Sequence, residues 1–307
     1  MYDYLRLRAD LADRNHYVEN FPAEFTGTHV EATGEVIAKS YNRNFRGLKT
    51  AVYGNSIRID GSIQKFLSGE NYTDFTRSKL KRACKDLANA YLLKETDLRI
   101  YNFEASVTIE APPIYNYMKS YRNRYMFMPM AKNNAVYGSR FTMGSATSGS
   151  KGEYGCKCYD KTQQVRIQTK EKLDKQLQHF ELCVNNPQWF NNRHPYWINY
   201  LHSLYDIDVM TAVGGEMIDL FHSITFAGAE LDYSSLQEFK PAQVSQIVAM
   251  SDERYAAHLK ANHPETHKKY SSLYNKVRGN ATYYRNVEEV AHFGEKLVEK
   301  VSYLINN

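Results

Sequence analysis

The sequence predicts an α+β protein, with an antiparallel β-sheet core over residues 1–185 and an all-α region over 186–307. Three observations predict it. Apolar residues recur with period two through most of the first part, and the period changes to 3.6 after about residue 185. The composition, 43% hydrophobic and 24% charged over 307 residues, is that of a globular protein long enough for one large domain or two ordinary ones.

The elements follow from these periods. Short alternating runs predict strands at 2–8, 30–39, 46–53 and 55–60. A helix is expected over 73–93, where Leu80, Ala83, Cys84, Leu87, Ala88 and Tyr91 form an apolar stripe. Residues 98–110 alternate strictly: Asn102, Glu104, Ser106, Thr108 and Glu110 share one face, and Phe103, Ala105, Val107 and Ile109 the other. A short helix is expected after Pro112-Pro113, because proline suits a first helical turn. Another strand is expected at 135–143, and Gly144–Gly152 reads as a flexible loop. The segment Gly155–Lys161 reads as a strand carrying Lys157, Tyr159 and Lys161 on one face. In 178–184, His179, Glu181 and Cys183 face one way, and Phe180, Leu182 and Val184 the other. Helices are expected at 185–204, 208–225, 241–260, 264–278 and 286–304, the last with Asn286 and Glu289 as an N-terminal capping pair.

Composition also excludes function classes. No apolar run reaches the roughly 18–20 residues of a membrane span, and the charged N-terminus is unlike a secretory signal, so a cytoplasmic protein is expected. Four cysteines without a C-x-x-C pair disfavour a disulfide framework and a structural zinc site. No Gly-x-x-x-x-Gly-Lys-Ser/Thr loop is present, which disfavours an ATPase. A histidine–hydrophobe–histidine motif is likewise absent, and His258, His263 and His267 read as surface residues at a helix junction.

The excess of 39 Lys+Arg over 34 Asp+Glu permits nucleic-acid binding. Lys79, Lys81, Arg82 and Lys85 crowd the first half of the 73–93 helix and offer a phosphate-facing surface. The stretch from Tyr115 to Phe127 interleaves aromatics with Lys119, Arg122 and Arg124, which suits unpaired DNA or, alternatively, tyrosines packed on the sheet.

The chemistry-bearing constellation is a strand-borne tyrosine between two strands that carry carboxylates. A tyrosine hydroxyl, with an ordinary pKa near 10, needs activation to act as a nucleophile, and Lys161 two residues on offers a charge. Glu104 and Glu181 stand mid-strand, where a carboxylate must be paired, solvated or bound to metal. Two carboxylates beside a tyrosine suit a hard divalent ion acting on a phosphodiester, although ordinary salt bridges account for the same pattern.

Four blocks in order resemble the replication initiators of filamentous bacteriophage, the gene II product family, and more distantly the plasmid rolling-circle initiators. They are Ser56–Asn71, Ile100–Pro112 with its acidic strand running into Ala-Pro, Cys158-Tyr-Asp-Lys161, and Phe180-Glu-Leu182 with His179 where arginine is usual. Together they cover about residues 27–184. The resemblance implies DNA nicking and rejoining that starts rolling-circle replication in a bacterial host. It implies Tyr159 as nucleophile, Lys161 as its electrostatic partner, and Glu104 and Glu181 as ligands of Mg²⁺ or Mn²⁺. Asp60 is the candidate third ligand, because Arg58 stands where relatives can have an acid. Lys65 and Asn71 would position DNA, Lys157 would add a further DNA contact, and host helicase and polymerase would be partners, with a homodimer left open. The main alternative is a DNA-binding protein without catalysis on the same scaffold.

Overall fold

The computed structural model describes residues 1–21, 26–32, 35–122, 125–132, 135–142, 154–278 and 283–307. The loop expected at Gly144–Gly152 and the cation Arg124 lie outside the described residues.

The α+β class is as expected. The chain opens with β1 (Tyr2–Asp10) and α1 (Arg14–Asn20), followed by β2 (Thr26–Ala32), β3 (Glu35–Phe45), β4 (Leu48–Tyr53) and β5 (Ser56–Ser62). The strand expected at 30–39 is therefore two paired strands, β2 and β3. Next come α2 (Ile63–Ser68), α3 (Arg77–Ala90) and β6 (Arg99–Glu110). The helix expected after the two prolines is only a single turn at Tyr115–Tyr117, and the Tyr/Arg stretch continues as β7 (Met118–Tyr121) and β8 (Tyr125–Met126). Then follow β9 (Met128–Lys132), β10 (Ala135–Thr142), β11 (Tyr154–Asp160), α4 (Lys161–Thr169) and β12 (Leu177–Val184).

Past residue 185 the chain is mostly helical: α5 (Pro187–Asn191), α6 (Ile207–His222), α7 (Pro241–Ser251), α8 (Glu253–Asn262), α9 (Pro264–Val277) and α10 (Glu288–Asn306). Among the described residues, three short strands interrupt it, β13 (Ile224–Phe226), β14 (Glu230–Leu231) and β15 (Tyr284–Arg285). The helix expected over 185–204 reduces to α5 and a 3₁₀ turn at Leu201–Tyr205, because residues 199–201 instead hydrogen-bond to the start of β6. Helix α10 begins after Val287 with no side-chain cap, so the expected Asn286–Glu289 pair does not form.

Ten strands form one antiparallel sheet in the order β2-β3-β4-β5-β1-β6-β12-β11-β10-β9. One face is apolar: Leu5, Leu7, Phe103, Val107, Phe180 and Leu182 are buried in a core shared with α3, α6 and α10. Phe180 meets Phe221 of α6 and Phe293 of α10 edge-on. The core thus runs continuously past residue 185, and the boundary expected there is not a break in packing. A small satellite core of Leu236, Ile247 and Val277 joins α7 and α9 to the segment before them. Strand alternation leaves the polar residues of β1, β6, β11 and β12 on the opposite face of the sheet. Among the described residues, no helix is long and apolar enough to cross a membrane.

Candidate functional site

The site lies on the polar face of four adjacent strands. In register, Tyr159 of β11 stands opposite His179 of β12, and Lys157 opposite Glu181. On the other side of β12, His179 pairs with Thr108, and Cys183 with Glu104. The three residues read as one face of 178–184 therefore do converge on the tyrosine strand. Asp160 ends β11 and caps α4 by accepting the Gln163 N–H at 2.8 Å. This cap makes Lys161 the first residue of a helix instead of a strand residue, which corrects its expected place on the tyrosine's face. The ammonium still reaches the ring of Tyr159, with Nζ 5.5 Å from the centroid, and is buried there.

The Tyr159 hydroxyl donates to Glu181 Oε1 at 2.6 Å and is buried, the residue being 3% exposed. Burial, followed by the Glu181 charge, pushes the phenol up, so the tyrosine is neutral in this arrangement. Lys157 Nζ bridges the two expected metal ligands, 2.6 Å from Glu104 Oε1 and 3.0 Å from Glu181 Oε2. One ammonium cannot neutralise two carboxylates. For Glu104, burial and then the nearby Glu181 charge push the carboxyl up to about 7. Burial acts the same way on Glu181, but Lys157, His179 and the Tyr159 hydroxyl outweigh it and hold that carboxyl below its ordinary range. Lys157, expected as a DNA contact, is thus a part-buried cation clamped between two carboxylates.

A better-formed ligand set is one that sequence reasoning missed. Asp3, His179 and Glu181 are all buried, and each brings a ligand atom within 4.8 Å of the others. Asp3 is held in place by Asn71, whose Nδ2 donates to Oδ2 at 2.7 Å, and by the Ser62 hydroxyl. His179 Nδ1 lies 2.7 Å from Thr108 Oγ1. Burial, then the Lys161 charge, pushes the imidazole down, so it is neutral at neutral pH and able to ligate. His179 Nε2 is buried without a hydrogen-bond partner, with Glu181 Oε1 3.3 Å away, a state that costs free energy unless something else satisfies it. Glu104, Glu181 and Cys183 form a second such group, in which Lys157 pairs both carboxylates, whereas in the first group it pairs Glu181 alone. The rule that singled out Glu104, an acid inside a strand, applies equally to Asp3 within Tyr2–Asp10.

Other expected residues lie elsewhere. Asp60 is held by Arg6 Nε at 2.8 Å and Arg58 Nη2 at 2.6 Å, and does not join the ligand cluster. Asn71 is at the site, but as the support for Asp3, while Lys65 is exposed on α2. Helix α3 packs on the apolar face, so Lys79, Lys81, Arg82 and Lys85 lie across the sheet from Tyr159. Lys81 sits over the Tyr205 ring, and Arg82 faces Asp86 at 3.6 Å. Lys119 and Arg122 are exposed, but Tyr115 and Tyr121 of the same stretch are buried, Tyr121 stacking on Phe141. That stretch therefore packs its tyrosines against the sheet. His258 and His263 stand 6.1 Å apart by ring centroid, and neither joins a metal-ligating group.

The tyrosine's position depends on a glycine. Gly138 of β10 lies directly opposite Tyr159, and a Cβ there would come 2.4 Å from the Tyr159 Cβ and 2.7 Å from the Cys158 carbonyl oxygen. Gly138→Ala must therefore force β10 and β11 apart, with an expected loss of about 1–3 kcal/mol or more in urea denaturation. A stable Gly138→Ala variant with unaltered unfolding would show that the two strands can relax around a methyl group.

A scan against protein-family models and a search of the curated proteins both find no match for this chain.

Proposed function

We propose that the protein is a metal-dependent DNA nicking and joining enzyme that forms a phosphotyrosine through Tyr159 and serves replication initiation of a phage or related replicon. The observation that carries this reading is the convergence of Tyr159, Glu181, His179, Asp3 and Lys161 on one polar patch of the sheet. A hydroxyl nucleophile within hydrogen-bond reach of a carboxylate, beside a buried ammonium, is an arrangement suited to phosphoryl transfer.

Tyr159 Oη attacks the phosphorus of a DNA phosphodiester, the bond to the 3′ oxygen breaks, and that oxygen leaves as a hydroxyl after taking a proton from solvent water. Glu181, the acceptor already in contact with the phenol, takes its proton only as the new oxygen–phosphorus bond forms, because a carboxyl held below its ordinary range is too weak a base to free the phenolate beforehand. Because the phosphodiester energy is kept in the tyrosine linkage, a later attack by a 3′ hydroxyl reseals a strand without ATP. Lys161 places positive charge beside the phenol ring, which favours the phenolate and the extra charge of the transition state. Asp3, His179 and Glu181 fit a divalent ion, since their ligand atoms lie within 4.8 Å of one another and His179 Nε2 is buried without a hydrogen-bond partner. Bound there, Mg²⁺ or Mn²⁺ would supply Lewis-acid stabilisation of phosphate charge. The imidazole ligand favours Mn²⁺ over Mg²⁺ at this set.

The ligand assignment has its own test, independent of cleavage. Asp3→Asn and His179→Gln should each weaken Mn²⁺ binding at least about tenfold in titration calorimetry, and Asp60→Asn should leave it unchanged. Equal affinity in all three variants would remove the metal from this site.

One observation favours the alternative of a DNA-binding protein without catalysis: Tyr159 is only 3% exposed, so DNA must displace part of its cover to reach it. The experiment that decides incubates the protein with Mn²⁺ or Mg²⁺ and a labelled pool of single-stranded oligonucleotides, then looks for a denaturant-stable protein–DNA adduct and maps the linked peptide. An adduct on Tyr159 is expected. DNA binding with no adduct in either metal would replace the enzyme reading with the binding one.

A further inference from the structure

On the same polar face, away from the tyrosine cluster, three arginines stand abreast. Arg8 of β1 lies directly opposite Arg58 of β5 on one side and Arg99 of β6 on the other. Like charges directly opposite on neighbouring strands are destabilising, so a row of three calls for an anion.

A backbone irregularity builds the row. Asn102 pairs with Arg6 and Ile100 with Leu7, which leaves Tyr101 as an extra, bulged residue. Without that bulge Arg99 would point into the apolar core and Ile100 would stand beside Arg8. Bulges commonly re-aim a side chain in this way.

The row keeps an excess of positive charge. Asp60 is shared by Arg58 and Arg6, so one carboxylate serves two guanidinium groups. Arg8 has no acidic partner among the described residues. Arg99 lies over the Tyr200 ring at 5.9 Å. Two clefts flank the row. One, of about 440 Å³, is lined by Arg8, Arg99, Tyr101 and Tyr200; the other, of about 450 Å³, by Lys49, Tyr53 and Arg58. Tyr53 is 50% exposed and Tyr101 40%. Asp10 and Asp97 also line the first cleft, Asp97 accepting the Lys94 N–H, and Asp60 lines the second. The cations Lys49, Arg6, Arg8, Arg58 and Arg99 outnumber these three acids.

We propose that the Arg58–Arg8–Arg99 row is the track along which single-stranded DNA lies on its way to Tyr159. The identification of the strand as DNA rests on the nicking reading above. Guanidinium groups abreast suit successive phosphates, and exposed tyrosines beside them suit base stacking, which only unpaired bases allow. Arg99 is five residues from Glu104 along β6, roughly 16 Å at the rise of a strand, so the track and the site share one continuous surface.

The test measures the salt dependence of binding of a fluorescein-labelled thymidine oligonucleotide to the full chain, by anisotropy in metal-free buffer. Each phosphate neutralised on a single strand contributes about 0.7 to the log–log slope. R8Q/R58Q/R99Q should therefore flatten the slope by about two, and K79Q/K81Q/R82Q/K85Q on the far side of the sheet should leave it unchanged. Arg8→Gln alone, which breaks no ion pair, should flatten it by about 0.7 and so reads the row even if the triple variant folds poorly. Arg8→Lys should keep the slope. An unchanged slope in Arg8→Gln, or a wild type that does not bind the oligonucleotide, overturns the track. A Tyr159 adduct with an unchanged Arg8→Gln slope overturns the track and leaves the nicking reading intact. A flattened slope without any adduct supports the track and overturns the nicking reading instead.

Discussion

Tyr159→Phe should abolish covalent attachment to DNA and nicking, by on the order of 10⁶-fold, the scale of removing a covalent nucleophile. The phenyl ring, its strand and its contact with His179 are kept; only the hydroxyl goes. That hydroxyl is the hydrogen-bond donor to Glu181 Oε1, so its removal leaves a buried carboxylate oxygen short of one partner. A stability loss of about 1–3 kcal/mol is expected with the loss of activity, larger than a cleft-facing hydroxyl would give. Tyr154, the nearest other tyrosine in the strand, cannot substitute: it is buried on the opposite side against Trp189, and its hydroxyl donates to Tyr121. The check is an oligonucleotide adduct assay in Mn²⁺ alongside urea denaturation. A Tyr159→Phe protein that still forms the adduct would sink the assignment of the nucleophile.

The second large effect concerns Lys157. Lys157→Met removes the one ammonium that lies between Glu104 and Glu181 and leaves both carboxylates without it. Breaking a buried pair by deleting one partner costs about 3–5 kcal/mol. Glu104, already pushed up to about 7, should then take up a proton more readily, so the loss should be greater at pH 8 than at pH 6. The sign follows from the direction of the shift: a carboxyl raised in the folded state favours folding below its unfolded value, and that contribution fades as pH rises through about 7. Adding Glu104→Gln should recover part of the stability, because one of the two unpaired charges is gone. Mn²⁺ should also raise the unfolding midpoint of Lys157→Met more than that of the wild type, since the two carboxylates are then free to bind it. A Lys157→Met protein as stable as the wild type would mean that the ion-paired cluster contributes nothing to folding.

Alternation alone made much of this protein legible. The strands carrying Glu104, Tyr159 and Glu181 follow from period two, and their faces follow with them, because successive side chains of a strand must point to opposite sides. Helix α3 and the stripe of α10 follow equally from period 3.6. Tertiary structure decided the rest. Which strands become neighbours is not encoded in any local period, so Asp3 from the first strand could not be paired in advance with His179 and Glu181. Lys161 turned from strand to helix because the Asp160 side chain caps the turn. The basic face of α3, read as a DNA surface, went to the far side of the sheet because its apolar stripe had to cover the same core as Phe103 and Phe180. The bulge at Tyr101 moved Arg99 into line with Arg8, a change of one residue that reverses a side chain's face and is visible only once the partner strand is in place.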